Sequence, residues 1–552
     1  MAHYMPYVPF AMILVYLFAL LWVGRLGYVG HWRHTAADYF LASRTCGAFL
    51  LLMTIFGTTM TSFALVGSTG AASKRGIGIY GMMASWSGLI HSACFFLIGM
   101  KLWYHGKRFG YSTQIQFFRD RFRSPALAMI LFPILVGLVV PYVLINILGS
   151  GATIEKVTAG TFPHWFAATA GGIPAWLGSA VVCLVVLIYV FGGGMRSLAF
   201  ANGLHAMVLV ILGLTTLFLV VGKLGGPVAA SERVAQMRPD LLVRGATAHA
   251  PAHMGHLEFL TYLFVPLSVG MFPHLFQHWM TAKSAKTFRP VVLLHPLFIA
   301  IVWAPCMLMG IWAAAAVING HPVIPPGTAP DAVLGMLVKK LTNPVVAGLL
   351  GVGIVSATMS LDSQFLALSS MFTHDILVRL FGERRVSDTQ RIWAGRTLVV
   401  AVVAVAYVLS LLAMKHKESI YPLGVWCFSG FAALFPLVFA SLYWRRVTAV
   451  GAIASIAATA IAWLLLFRDS HWGVNADYLF LGMMPVATIF AASALTLVLV
   501  SLITRPPARE VVDRFFETAP AGVQEPAAAS PAPLPQAVEF RLPTGQNSTV
   551  KA

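Results

Sequence analysis

The chain has 552 residues, of which 58% are hydrophobic and only 10% are charged, and its formal net charge is +18. This composition excludes an ordinary soluble domain and predicts an all-α integral membrane protein. The positive charge does not indicate nucleic-acid binding, because no basic run lies outside the loops that flank apolar segments.

Thirteen apolar runs are long enough to cross a bilayer, whose hydrocarbon core takes about 20 helical residues. In chain order the runs are 7–28, 47–72, 78–102, 125–150, 173–194, 198–222, 258–280, 290–317, 345–376, 392–414, 420–443, 447–467 and 480–503. The first run lacks a basic start and is followed by basic residues, so we expect a retained helix rather than a cleaved signal peptide. The sequence therefore predicts a transmembrane domain over residues 1–504.

The loops on one side of these spans carry more Lys and Arg than the loops on the other side. By the positive-inside rule, this bias predicts an outside N-terminus and a cytoplasmic C-terminus. The last segment, 505–552, is rich in Pro and Ala and cannot bury a core. We expect it to be a disordered cytoplasmic tail.

A polar cluster, MTIFGTTMTSFALVGSTG at 53–70, interrupts the second apolar run. One interpretation is a broken helix whose unwound backbone exposes carbonyl groups to a ligand. The other is a continuous helix that packs through small residues, with Thr hydroxyls bonded to its own backbone. Further along, Tyr142 and Asn146 share one face of a predicted helix and are candidate polar groups inside the bundle.

The segment PLSVGMFPHLFQHWMTAKSAK at 266–286 contains two prolines and a glycine that loosen a helix in mid-membrane. His274 and His278 are one turn apart, but no third metal ligand accompanies them. We therefore predict no transition-metal site. His274, beside the loosened turn, is a candidate for hydrogen bonding to a solute.

The stretch SATMSLDSQFLALSS places an aspartate inside an apolar run. At about 100° per helical residue, Ser356, Ser360 and Ser363 share one narrow face, and Asp362 borders it. Hydroxyl and carboxylate oxygens suit a small hard cation such as Na⁺, or a proton route through Asp362. A seam between two helices explains the serines well but explains a membrane carboxylate poorly.

Four motifs, in order within residues 8–445, resemble motifs of the sodium:solute symporter family. They are YFLASRTCGAFLLLMTIFGTTMTS, FGGGMRSLAFANGLHA, GMFPHLFQHWMTAKSAK and SATMSLDSQFLALSSMFTHDIL. The resemblance implies the leucine-transporter fold, with two inverted five-helix repeats at about 46–443 and extra flanking helices. It also implies cation-coupled import of a carboxylate, amino acid or vitamin-like solute across a bacterial-type inner membrane by alternating access.

The resemblance further implies a Na⁺ site between two core helices. Its cation-binding residues would be Gly57, Met60, Ser356, Met359 and Ser360, and we add Asp362 to this predicted set as a buried carboxylate beside it. Met359 stands where the family usually has Ser or Thr, and a thioether is a poor ligand for a hard cation. Asn202 stands where the family often has Asp, so oxygen and charge are lost at two positions, and Asp362 supplies a carboxylate nearby.

Four core helices would supply the solute contacts that the resemblance implies. The residues are Thr59, Thr61, Ser62, Tyr142, Asn146, Phe272, His274 and Trp426. The sequence shows no nucleophile elbow, nucleotide-binding loop or paired catalytic carboxylates, so we expect neither an enzyme nor a cofactor beyond the coupling ion. Proton coupling, a passive uniporter of the same fold and a transporter-like sensor remain alternatives, and the solute and oligomeric state stay open.

Overall fold

Long apolar helices dominate the computed structural model of the chain. The structure describes residues 6–29, 35–244, 254–318, 320–382, 385–415, 419–475 and 477–516. The membrane helices are α1 (Val8–Val29), α2 (Ala48–Thr59), α3 (Phe63–Arg75), α4 (Ile77–Phe109), α5 (Pro125–Val157), α6 (Ala175–Lys223), α7 (His256–Gly270), α8 (Pro273–Thr281), α9 (Ala285–Ala314), α10 (Pro344–Phe381), α11 (Asp388–Lys415), α12 (Ile420–Tyr443), α13 (Ala449–Asp469) and α14 (Pro485–Ile503).

Short elements connect these helices. They are the helices Ala36–Leu41, Gln114–Phe122, Gly226–Met237, Val333–Leu341 and Arg509–Phe516, the 3₁₀ turns Ala42–Arg44, Ala167–Thr169, Pro239–Leu242 and Pro330–Ala332, and a hairpin of Val317–Ile318 with His321–Pro322. The hairpin pairs antiparallel.

Helix α6 comprises two spans. Its 49 residues would measure about 70 Å as one straight helix, more than twice a bilayer core of about 30 Å. Gly194, with φ 54° and ψ −137°, lies where the two halves meet. When α6 counts as two spans and each bent pair as one, the described residues contain thirteen spans, and each coincides with one of the thirteen apolar runs.

Two spans are bent pairs of helices, α2 with α3 at 54° and α7 with α8 at 53°. The broken-helix interpretation of 53–70 is therefore confirmed. The second bend follows from Pro273, which begins α8, has no N–H and holds the preceding Phe272 extended at φ −65°, ψ 121°. The predicted loosening of this helix is likewise confirmed.

A buried amide side chain stabilises each break. At the first break, Asn146 of α5 accepts a hydrogen bond from the Ser62 N–H at 3.1 Å. At the second, Gln114 donates to the Met271 carbonyl at 3.1 Å. Backbone groups released from a helix inside a membrane need such partners, because no bulk water reaches them. The two breaks are thus held open by residues distant in the chain.

The two bent pairs divide the spans into two sets of five. Each pair is followed by four further spans, first α4 to the second half of α6 and then α9 to α12. Helix α1 packs against α6, and α13 packs against α14. The broken helices therefore lie in equivalent places within their sets, and α1, α13 and α14 flank them.

The helix Arg509–Phe516 lies within the segment that the sequence assigns to a disordered tail, so that assignment is wrong for these residues. Its apolar face buries Val511 and Phe515. The Phe515 ring lies 5.4 Å from that of His105 and 6.0 Å from that of Phe117. Burial of this face explains why the helix forms despite the composition of the segment. The rest of the predicted tail, 517–552, lies outside the described residues.

Candidate functional site

A narrow cavity with a volume of about 40 Å³ lies between the two breaks. Its polar lining residues are Thr59, Thr61, Ser87, His91, Tyr142, Tyr262 and Ser268. Its apolar lining consists mainly of the aromatic residues Phe63, Phe272, Trp303 and Phe428 and of Ala64, Val265, Pro266 and Val269. Among the described residues, those that line this cavity carry no formal charge. The chemistry of this lining suits a small solute that has an apolar body and a few hydrogen-bonding groups.

Four of the eight predicted solute contacts line this cavity, namely Thr59, Thr61, Tyr142 and Phe272. Thr59 also donates its hydroxyl hydrogen to the Ile55 carbonyl at 2.9 Å, which leaves the hydroxyl lone pairs for a ligand. The aromatic rings of Tyr142 and Phe272 lie 5.0 Å apart. These two rings join α5 to the second break.

Ser62 and Asn146 lie behind the first break and do not line the cavity. Asn146 is fully buried, and its carbonyl oxygen is occupied by the Ser62 N–H. Ser62 packs so closely on Gly149 that a Cβ there would lie 2.5 Å from the Ser62 Cβ. The structure thus places both residues where they hold the bend rather than where they meet a solute.

His274 and Trp426 also lie outside the cavity lining. The His274 ring stacks behind Phe272, with the ring centroids 5.1 Å apart. Trp426 packs against Trp463 and Phe467 of α13, at 5.8 and 5.1 Å between ring centroids. Residues two positions apart on a helix point about 200° away from each other. Phe428 therefore faces the cavity, and Trp426 does not.

The predicted cation-binding residues are all buried in protein. Met60, Ser356, Met359, Ser360 and Asp362 are each at most 1% exposed, and Gly57 is buried at the end of α2. The Ser356 and Ser360 hydroxyls donate to carbonyls of their own turns, at 2.7 and 3.3 Å. Both side chains are thus buried in protein rather than exposed to lipid.

Asn202 of α6 connects the two halves of this predicted site. A Cβ at Gly57 would lie 2.9 Å from the Asn202 carbonyl oxygen, so α2 and α6 touch here. The Asn202 amide donates to Asp362 at 3.4 Å and to Ser363 at 3.1 Å. The residue that departs from the family pattern therefore stands between the first break and the buried carboxylate.

Asp362 accepts hydrogen bonds on both carboxylate oxygens. Tyr189 donates to one oxygen at 2.8 Å, and the backbone and hydroxyl of Ser363 donate to the other at 2.5 and 3.0 Å. His278 Nε2 lies 3.0 Å from the Ser363 hydroxyl oxygen, which accepts from His278 while it donates to Asp362. In the described part of the chain, the ion pairs do not include Asp362.

Sequence reasoning did not single out several of these residues. Tyr189 lies 173 residues before Asp362, and only the packing of α6 on α10 brings the two together. Asn202 was singled out as a departure from the family pattern, but not as a hydrogen-bond partner of Asp362. Among the cavity residues, Trp303 and Phe428 read as ordinary apolar residues. His91 carries the one usable signal, because a histidine inside an apolar run is expensive to bury.

A model described as "Sodium:solute symporter family" matches residues 39–458. The chain belongs to this family. Curated relatives of this sodium:solute symporter include the sodium/proline symporter of Escherichia coli, 25% identical over 530 residues, which cover 91% of this chain and 94% of the relative. The sodium/pantothenate symporter of Escherichia coli is 25% identical over 468 residues, which cover 83% and 88%.

Solved structures confirm the fold of this sodium:solute symporter. A Na⁺-coupled sialic acid symporter in a substrate-bound outward-open state aligns with a TM-score of 0.70 at 16% identity, over 90% of this chain and 98% of that chain. The inward-facing conformation of Mhp1 aligns with a TM-score of 0.52 at 11% identity, over 85% and 95%. The leucine-transporter fold is therefore confirmed. The family match and the symporters among the relatives show that the chain is a multi-pass, Na⁺-coupled symporter of a small solute and not an enzyme.

An ion pair joins the ends of the two bent spans of this symporter. Arg75 at the end of α3 contacts Glu258 at the start of α7, and Asp477 lies 3.7 Å from Arg75. Between this pair and the cavity, the Tyr421 ring stacks on that of Phe63 at 5.6 Å. The pair and the stacked rings together close this side of the cavity.

We expect Glu258→Gln to open this side, because it leaves the half-buried Arg75 without its nearest carboxylate. Loss of such a contact costs about 1–3 kcal/mol, so a cysteine placed at Thr61 should react with a water-soluble thiol reagent about fivefold faster or more. The five native cysteines are all buried and give a low background. The exchange Arg75→Glu with Glu258→Arg should restore the slow rate. Equal rates in all three proteins would contradict the closing role.

Proposed function

We propose that the symporter imports a small solute that bears a carboxylate, together with Na⁺, and that this solute is in the first place a net-neutral, zwitterionic amino acid. The absence of formal charge among the described cavity-lining residues supports this choice. A net charge at membrane depth is expensive unless it is paired. The aromatic rings suit the apolar body of such a solute, and the hydroxyls suit its polar groups.

The observation that carries the coupling proposal is Asp362, a fully buried carboxylate held by Tyr189 and Ser363. Carboxylate, carbonyl and hydroxyl oxygens are the ligands that hard cations take. We assign Na⁺ to a site whose ligands are this carboxylate, the carbonyls of Gly57, Met60 and Ser356 and the Ser360 hydroxyl. Asp362 then supplies the oxygen that a thioether at Met359 does not.

Coupling follows if the cation favours the conformation that binds solute. A cation that contacts both α2 and α10 stabilises whichever state keeps these helices together, and solute affinity rises by the same factor. Each charge that crosses 100 mV adds about 2.3 kcal/mol of driving force. The direction is import across a bacterial inner membrane, with the N-terminus outside and the C-terminus in the cytoplasm.

Uptake into proteoliposomes tests the proposal. We expect accumulation of at least one of L-proline, other zwitterionic amino acids, pantothenate and short monocarboxylates when Na⁺ is high outside. Accumulation should collapse when a Na⁺ ionophore is added, because the gradient supplies the energy. If K⁺ replaces Na⁺ and an imposed proton gradient drives the same accumulation of solute, the result would favour proton coupling. Equilibration without accumulation would favour a passive uniporter.

A further inference from the structure

Two histidines meet at the wall of the cavity formed by α4 and α9. His91 lines the cavity one turn after Ser87, which also lines it, and is 8% exposed. Its Nδ1 lies 3.5 Å from Nε2 of His295, which is fully buried. Ionisable side chains are expensive at membrane depth and are retained mainly where they serve function. The pair therefore calls for a role beyond packing.

The surroundings of His295 determine which ring nitrogens carry protons. Its ring lies 4.8 Å from that of Phe95 and 6.1 Å from that of Phe56, both measured between centroids. Its Nδ1 is buried and has no hydrogen-bond partner among the described residues. A neutral imidazole has one N–H, and a buried N–H without an acceptor costs about 1–3 kcal/mol. The proton of His295 therefore belongs on Nε2, where it can be donated to His91.

This arrangement fixes the tautomer of His91. Because His91 Nδ1 accepts from His295, the proton of a neutral His91 ring is on Nε2. The two ring nitrogens point in different directions, so Nε2 points away from His295 while the residue lines the cavity. His91 thus presents a hydrogen-bond donor to the cavity, whereas the nearby Ser and Thr hydroxyls can act as donors or acceptors.

We propose that His91 is a solute-binding residue whose Nε2–H donates to a carboxylate oxygen of the solute, and that His295 is its positioning residue. This rests on the proposed function, since it assigns the carboxylate end of a small amino acid to the α4 wall. The aromatic residues Phe63, Phe272 and Phe428 then cover the apolar body of the solute from the opposite helices.

A set of His91 variants separates this role from packing. The amide nitrogen of Gln reaches about as far as Nε2, whereas that of Asn reaches only as far as Nδ1. With L-proline as the probe, we expect His91→Gln to keep KM within about threefold of the unmodified protein. His91→Asn and His91→Phe should raise KM about tenfold or more, as for the loss of a hydrogen bond to a charged group, with kcat little changed.

Competition by pyrrolidine, which has the ring of proline but no carboxylate, is the matched control. We expect His91→Phe to leave the inhibition of L-proline uptake by pyrrolidine unchanged, while the binding of L-proline itself becomes weaker. A KM for L-proline that His91→Phe does not change would overturn the proposal. Equal changes in KM for His91→Asn and His91→Gln would also overturn it. So would a loss of pyrrolidine binding in His91→Phe as large as the loss of L-proline binding, because either result indicates a packing role.

The tautomer can be measured without any solute. In solid-state ¹⁵N spectra of histidine-labelled protein, the His91 signals are those absent from His91→Gln. We expect the Nε2–H form in the unmodified protein and a mixture of tautomers in His295→Phe. An Nδ1–H form in the unmodified protein would overturn the assignment. If no solute is taken up at all, the proposed function fails, and this spectrum still decides whether His91 is a donor.

Discussion

Asp362→Asn should abolish Na⁺-driven accumulation while the protein still folds and reaches the membrane. The carboxylate is the charge that we assign to the cation, and Asn keeps its size and one acceptor oxygen. A unit charge about 4 Å from the ion contributes about 4 kcal/mol at an effective dielectric constant of 20. We therefore expect the Na⁺ concentration for half-maximal uptake to rise at least about a hundredfold in proteoliposomes.

The same helix offers a matched control. Asp375 is also buried in α10, at 9% exposure, and binds the Thr113 hydroxyl at 3.0 Å, but it lies outside the cavity and the predicted cation site. Asp375→Asn should leave the Na⁺ dependence of uptake unchanged. If both variants change Na⁺ dependence equally, the effect belongs to the helix as a whole and the assignment to Asp362 fails.

A double exchange tests whether the position of the charge matters. Asn202 donates to Asp362, so Asn202→Asp combined with Asp362→Asn moves the carboxylate to the facing helix and keeps the amide–carboxylate pair. We expect this double variant to recover Na⁺-driven uptake that Asp362→Asn alone has lost. A double variant as inactive as the single one would show that the carboxylate must lie on α10.

Gly194→Ala should be the most destabilising small substitution in α6. Gly194 has φ 54° and ψ −137°, a region that essentially only glycine adopts. A Cβ there would lie 2.3 Å from the Tyr39 carbonyl oxygen and 2.7 Å from the Tyr39 ring. Strain of about 1–3 kcal/mol from the backbone and a similar amount from overpacking should add.

Thermal unfolding in detergent measures this effect. We expect Gly194→Ala to lower the midpoint by several degrees or to prevent recovery of folded protein. Gly192→Ala is the control, because it lies two residues earlier in the same helix and a Cβ there meets nothing within 4 Å. It should be neutral or slightly stabilising. Similar midpoints for the two variants would contradict the close approach of Tyr39.

The membrane spans could be predicted from the sequence because a bilayer imposes its own length. About 20 apolar residues cross the hydrocarbon core whatever their neighbours are, so thirteen runs correspond to thirteen spans. The second break was predictable for a similar reason, since Pro273 removes a donor wherever it stands. The first break was not, because the small and hydroxyl-bearing residues of 53–70 suit a packed helix as well as a broken one.

Side-chain direction around a helix decided part of the candidate site. Trp426 and Phe428 are both aromatic residues near the start of α12, and only Trp426 was predicted to contact the solute. In the structure Trp426 packs against α13, and Phe428 lines the cavity. Which face of a helix looks inward depends on its neighbours, and an all-round apolar helix carries no periodic signal to show it.

The sequence by itself determined that this chain crosses the membrane many times, that the span at 258–280 is interrupted and that Asp362 is buried at a cost that demands a function. Each conclusion follows from local chemistry, namely the length of apolar runs and the desolvation of a carboxylate. Only the tertiary structure decided what surrounds Asp362 and that His91 meets His295, 204 residues away. Such pairs form where distant helices pack, and the hydrogen bonds that hold them leave no periodic trace along the chain.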